Sequence, residues 1–66
     1  MKNRLREIRK KQRYSQQLLA KESGVSRATI TGIETGRIQN TTSDTLMKLA
    51  NALGVTVQEI FFIETN

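Results

Sequence analysis

The stretch from residue 15 to residue 37, SQQLLAKESGVSRATITGIETGR, decides the fold. At its centre stands Gly24, a residue that takes a left-handed backbone without a Cβ penalty and so turns the chain sharply. Before it, Ser15 is a good N-cap, and Leu18, Leu19 and Ala20 carry a helix to about Ser23. After it, Ser26 can cap a second helix that Gly36 ends. With Gln16 as the first position, Leu19 is fourth, Ala20 fifth, Gly24 ninth, Val25 tenth, Ile30 fifteenth and Ile33 eighteenth. Two short helices that cross steeply need a small residue where their axes meet, which Ala20 supplies, and a short turn between them, which Gly24 supplies. Leu19, Val25, Ile30 and Ile33 then fill the wedge between these helices and the rest of the chain. The spacing predicts a helix-turn-helix over about residues 16–35.

The second of these helices is lopsided. Ile30 and Ile33 anchor one side, while Arg27, Ala28, Thr31 and Gly32 leave the other nearly flat. A glycine inside a helix costs about 1 kcal/mol relative to alanine, so Gly32 predicts that something must come close to the backbone there. The expectation is that Gly32 lies on the flat side with Arg27, Ala28 and Thr31.

The flanking sequence completes an all-helical pattern. The first helix is expected over about residues 3–12, with Leu5 and Ile8 as a thin inner stripe and basic residues around the rest. A polar connector, Arg37 to Thr42, precedes a fourth helix in which Leu46, Leu49, Ala50 and Leu53 recur at helical spacing before Gly54. Thr56 and Glu59 form a capping box that opens a short fifth helix containing Ile60 and Phe61. The reading is one domain, residues 1–66, an all-α five-helix bundle with room for a short extended segment at its C-terminal end.

Composition narrows what such a domain can do. A chain of 66 residues buries only about 60% of its unfolded surface, which leaves little room for a large catalytic cleft. It contains no Cys and no His, so neither a disulfide nor the usual zinc ligand sets can form, and no metal site or cofactor is expected. The acids Glu7, Glu22, Glu34, Asp44, Glu59 and Glu64 are scattered singly, with no nucleophile and base, phosphate loop or metal cluster, so an enzyme is not expected. The longest apolar run, Ile60 to Ile63, is far short of the roughly 18 residues of a membrane span, and a cytoplasmic protein is expected. Charge is uneven: residues 1–13 hold seven bases against one acid, a balance of +6, while residues 14–66 hold four bases and five acids. A positive field at one end suits nucleic acid.

On these residues the chain resembles the helix-turn-helix of the phage Cro and repressor class, also called the xenobiotic-response-element type. The segments TLMKLANALGV and TVQEIF are similar to that family's fourth and fifth helices, so the likeness runs over about residues 3–61. It implies a lambda-repressor-like, all-helical DNA-binding domain that regulates transcription, usually as a dimer. Two departures are visible: the family often has Pro in the connector, where this chain reads Gln39-Asn40-Thr41, and the connector is one residue longer than usual.

The resemblance also assigns roles. Arg27 stands at the start of the recognition helix and has the fork geometry for guanine O6 and N7, while Ala28 and Thr31 can place methyl groups near thymine. With Gly32 these are the expected base contacts. Gln16 matches the family's glutamine at the start of the second helix, facing a phosphate. Gln17, Ser26, Thr29, Arg37, Asn40, Arg9 and Lys10 are the other expected phosphate contacts, and Lys11 and Arg13 add long-range field with direct contact. Ala20, Gly24, Val25, Ile30, Ile33 and Glu34 are structural, with Glu34 matching a partner that orients Arg9 beside the DNA backbone. A dimer surface is expected around Val57, Ile60, Phe61, Phe62 and Ile63, of which Ile60 and Phe61 can instead complete the core.

The expected function is a sequence-specific regulator of double-stranded DNA, a repressor that binds a palindromic operator as a homodimer through the major groove. It needs no membrane and no small-molecule ligand. The alternative is an antitoxin or phage accessory protein whose main work is binding another protein. RNA is disfavoured, because single-strand readers stack bases on aromatic residues and the basic half offers only Tyr14.

Overall fold

The computed structural model describes residues 3–61, which form five helices: α1 Leu5–Lys11, α2 Gln16–Ser23, α3 Arg27–Thr35, α4 Ser43–Leu53 and α5 Val57–Ile60. Their ends follow the sequence signals closely. Ser15, Ser26, Thr42 and Thr56 each accept a hydrogen bond from the backbone N–H three residues on, and Thr56 with Glu59 completes the capping box. Gly24, Gly36 and Gly54 close α2, α3 and α4 in the left-handed conformation, with φ of 77°, 82° and 68°.

The core is one apolar cluster. Leu5, Leu19, Val25, Ile30, Ile33, Leu49, Ala50, Leu53, Ile60 and Phe61 are buried in it, and Ile8, Tyr14, Ala20, Ile38, Leu46 and Val57 pack against its margin. Helix α2 lies against both α3 and α4, α5 against α4, and α1 against α3. Burying side chains such as Leu19, Ile30 and Leu49 contributes about 1.5–3 kcal/mol each relative to exposure, which is what holds helices this short in place.

Two expectations need correction. Phe61 is not helical: it takes an extended backbone, φ −112° and ψ 124°, and pairs with Asn3 in an isolated antiparallel bridge. Arg4 N–H donates to the Ile60 carbonyl at 2.7 Å beside it, tying the two ends of the described chain together. Ile60 and Phe61 are 0% and 2% exposed, so they complete the core and cannot form a dimer surface. Val57 is partly buried, while Phe62 and Ile63 lie outside the described residues.

Candidate nucleic-acid interface

Helix α3 is fixed from behind. Ile30 and Ile33 are fully buried, and the Asn3 side-chain amide donates to the Ile33 carbonyl at 3.0 Å. Arg27 and Ala28 open the helix exposed to solvent, and Thr31 is partly buried one turn later. The capping Ser26 hydroxyl accepts from Thr29 N–H at 3.1 Å and donates to Thr29 Oγ1 at 2.8 Å. The Ser26 hydroxyl thus serves as the cap of α3, and the Thr29 hydroxyl keeps its own proton to give.

Gly32 does not lie on the open side. It is buried, and a Cβ built on it would run into Ile38 Cδ1 and sit 2.6 Å from Ile38 Cγ1. The close neighbour that the glycine admits is the connector, folded back against the helix, rather than a base pair. Ile38 N–H donates to the Gly32 carbonyl at 3.0 Å, so backbone and side chain together press the connector onto α3. Gly32, expected among the base contacts, therefore faces the connector instead.

Arg9 is also turned inward. Its Nε donates to Glu34 Oε2 at 2.7 Å, Nη2 to Glu34 Oε1 at 3.1 Å, and Nη1 to the Tyr14 carbonyl at 2.7 Å. The two side chains are 9% and 4% exposed. A guanidinium whose donors on all three nitrogens are engaged beneath the surface does not reach a phosphate, so Arg9 is a structural clamp between α1, α3 and the α1–α2 turn. The signal was present in the sequence: Arg9 follows Leu5 by four residues and shares its helical face.

The same carboxylate reaches the open side through Gln16. Gln16 Nε2 donates to Glu34 Oε1 at 3.1 Å, and Gln16 Oε1 accepts from Thr31 Oγ1 at 3.2 Å and from Arg27 Nε at 3.4 Å. The partly buried amide thus connects the clamp to two recognition-helix side chains. Its assignment is self-consistent, since the acceptor faces donors and the donor faces the carboxylate. Gln17, Arg37, Asn40, Lys10 and Lys11 are exposed, Lys10 and Lys11 in the last turn of α1, and Arg13 lies in the turn that follows α1.

Ile38 and Asn3 escaped the sequence reading, because a single apolar residue in a polar connector and a polar residue at a chain end carry no periodicity. Among the described residues no three or more His, Cys, Asp or Glu side chains gather, and no helix is long and apolar enough to cross a membrane.

Comparisons with known proteins agree with this geometry. A family model described as helix-turn-helix matches residues 5–60. A curated relative, an uncharacterised HTH-type transcriptional regulator of Methanocaldococcus jannaschii, is 39% identical over 64 residues, covering 97% of this chain and 96% of its own. Among solved structures, the restriction-modification controller protein C.AhdI from Aeromonas hydrophila is similar with a TM-score of 0.81 and 40% identity, over 88% of this chain and 86% of the other.

Proposed function

Because this chain belongs to the helix-turn-helix family of DNA-binding transcriptional regulators, which are not enzymes, we propose that it is a cytoplasmic repressor. It binds a palindromic operator as a homodimer. The carrying observation is the exposed first turn of α3, Arg27 and Ala28 with Thr31 behind them, on the side away from the Ile30 and Ile33 anchors. In this reading Arg27 reads guanine, and Ala28 and Thr31 meet thymine methyls. Gln16, Gln17, Thr29, Arg37, Asn40 and Lys10 hold the phosphates and set the register without carrying sequence information. Residues 1–66 act as one domain.

A single module of this size makes a limited interface, so useful specificity calls for two copies reading half-sites about 34 Å apart. The dimer surface we propose is Val57 with Phe62 and Ile63, since the core takes Ile60 and Phe61. Likeness to a restriction-modification controller over most of both chains supports a regulator more than a toxin-binding partner.

The test is fluorescence anisotropy with duplexes from the promoter of its own operon against random duplexes of equal length, alongside sedimentation. Expected are preference for one palindromic site, two chains per duplex, and affinity that falls steeply with salt. Equal affinity for both DNA sets, or one chain per site, overturns the reading.

A further inference from the structure

One backbone feature is unexplained by packing. Arg13, between α1 and α2, has φ of 62°, the only positive φ of a non-glycine among the described residues. One residue beyond the Gln12 cap of α1, it takes the left-handed backbone that glycine takes directly after α2, α3 and α4. The turn has the hydrogen bonds of a glycine-ended helix: Arg13 N–H donates to the Lys10 carbonyl and Tyr14 N–H to the Arg9 carbonyl, both at 2.9 Å. A side chain with a Cβ is strained there, and arginine lacks the short polar group that lets Asn or Asp bond locally in this conformation. The Arg13 side chain does nothing in the fold to offset the strain, since it is exposed and makes no hydrogen bond or ion pair among the described residues.

We propose that Arg13 is a DNA-affinity residue held at the expense of stability, its guanidinium neutralising a backbone phosphate of the duplex on which α3 is seated. This rests on the DNA-binding reading above. Two observations point to a phosphate. Arg13 lies two residues before the Ser15 cap of α2 and, with only Gln12 between, follows the exposed Lys10 and Lys11, so it extends a basic edge. The neighbouring Tyr14 carbonyl is held by Arg9 Nη1, and Arg9 is held by Glu34 of α3. The turn is thereby registered to the recognition helix, and a charge on it keeps a fixed place relative to DNA entering against α3.

The experiment compares Arg13→Gly and Arg13→Lys with the unaltered protein, by thermal denaturation and by anisotropy on promoter and random duplexes over a salt series. Arg13→Gly is expected to melt several degrees higher yet bind both duplexes about three- to tenfold more weakly at low salt, with the slope of log affinity against log salt smaller by about one per chain. Arg13→Lys is expected to keep the salt slope and the lower melting temperature. If Arg13→Gly binds with unchanged affinity and slope, or melts lower, the proposal is overturned. If the unaltered protein shows no salt-dependent binding to any duplex, the DNA-binding reading fails and this inference with it; loss of the Arg13 effect alone leaves that reading intact.

Discussion

The first and last turns of α3 differ in what holds them. The last turn is gripped on several sides: Ile38 covers Gly32, Glu34 takes the buried Arg9 fork, and Asn3 holds the Ile33 carbonyl. In the first turn Arg27 and Ala28 stand in solvent, and Arg27 is steadied by one long bond, 3.4 Å, to Gln16. Rigidity at one end and accessibility at the other are what a reading helix needs, because a base contact discriminates only when its backbone is placed by something else. Gln16 joins the two regimes, since its amide touches both Glu34 and the Arg27–Thr31 side.

The sharpest way to break the locked end is Glu34→Ala. It leaves the Arg9 charge buried without its carboxylate, at an expected cost of about 3–5 kcal/mol. A 66-residue domain is stable by only about 3–10 kcal/mol at 0.05–0.15 kcal/mol per residue, so urea denaturation followed by circular dichroism should show most of the stability gone. The double change Arg9→Met with Glu34→Leu should recover a large part of it, because an apolar pair removes the stranded charge. A Glu34→Ala protein as stable as the original would mean the pair is not the clamp.

Arg27→Ala tests the open end. Preference for the operator over single-base variants should fall by about 1–3 kcal/mol at one position, while stability stays within about 0.5 kcal/mol, because the residue is exposed. Competition binding against a set of substituted operators measures it. A loss of stability as large as the loss of binding would erase the contrast between the turns.

Gly32→Ala has the smallest expected effect, and an informative one. Helix propensity alone predicts a gain of about 1 kcal/mol. The Ile38 side-chain end in the way must swing aside to admit the methyl, which is expected to cancel that gain and leave stability within about 0.5 kcal/mol of the original. Combined with Ile38→Ala, the same change should become favourable, so a thermal double-mutant cycle isolates the contact. A higher melting temperature for Gly32→Ala alone would show that the connector does not press on the helix.

Much of this molecule is legible from residue types alone. Ser15, Ser26, Gly24, Gly36 and Gly54 mark helix ends because capping oxygens and left-handed glycines act within a few residues of themselves. The apolar spacing of Leu19, Val25, Ile30, Ile33, Leu49 and Leu53 likewise dictates which faces turn inward, since burial of apolar surface is the main driving force for a chain with no disulfide. The resemblance to the Cro and repressor class follows from that same spacing.

What tertiary structure decided is where the exceptions point. A mid-helix glycine makes room for an approaching group, but the sequence does not say whether that group is DNA or Ile38; the answer depends on a connector folded back from outside the helix. The resemblance pairs Arg9 with Glu34 beside the DNA backbone, yet only the packing of α1 on α3 shows that pair buried, 9% and 4% exposed, as an internal clamp. Arg13 sits in a conformation that local chemistry would assign to glycine. Helix ends and apolar faces are local and periodic, so the sequence by itself determines them, whereas pairing across the fold depends on distances that exist only once the helices have packed.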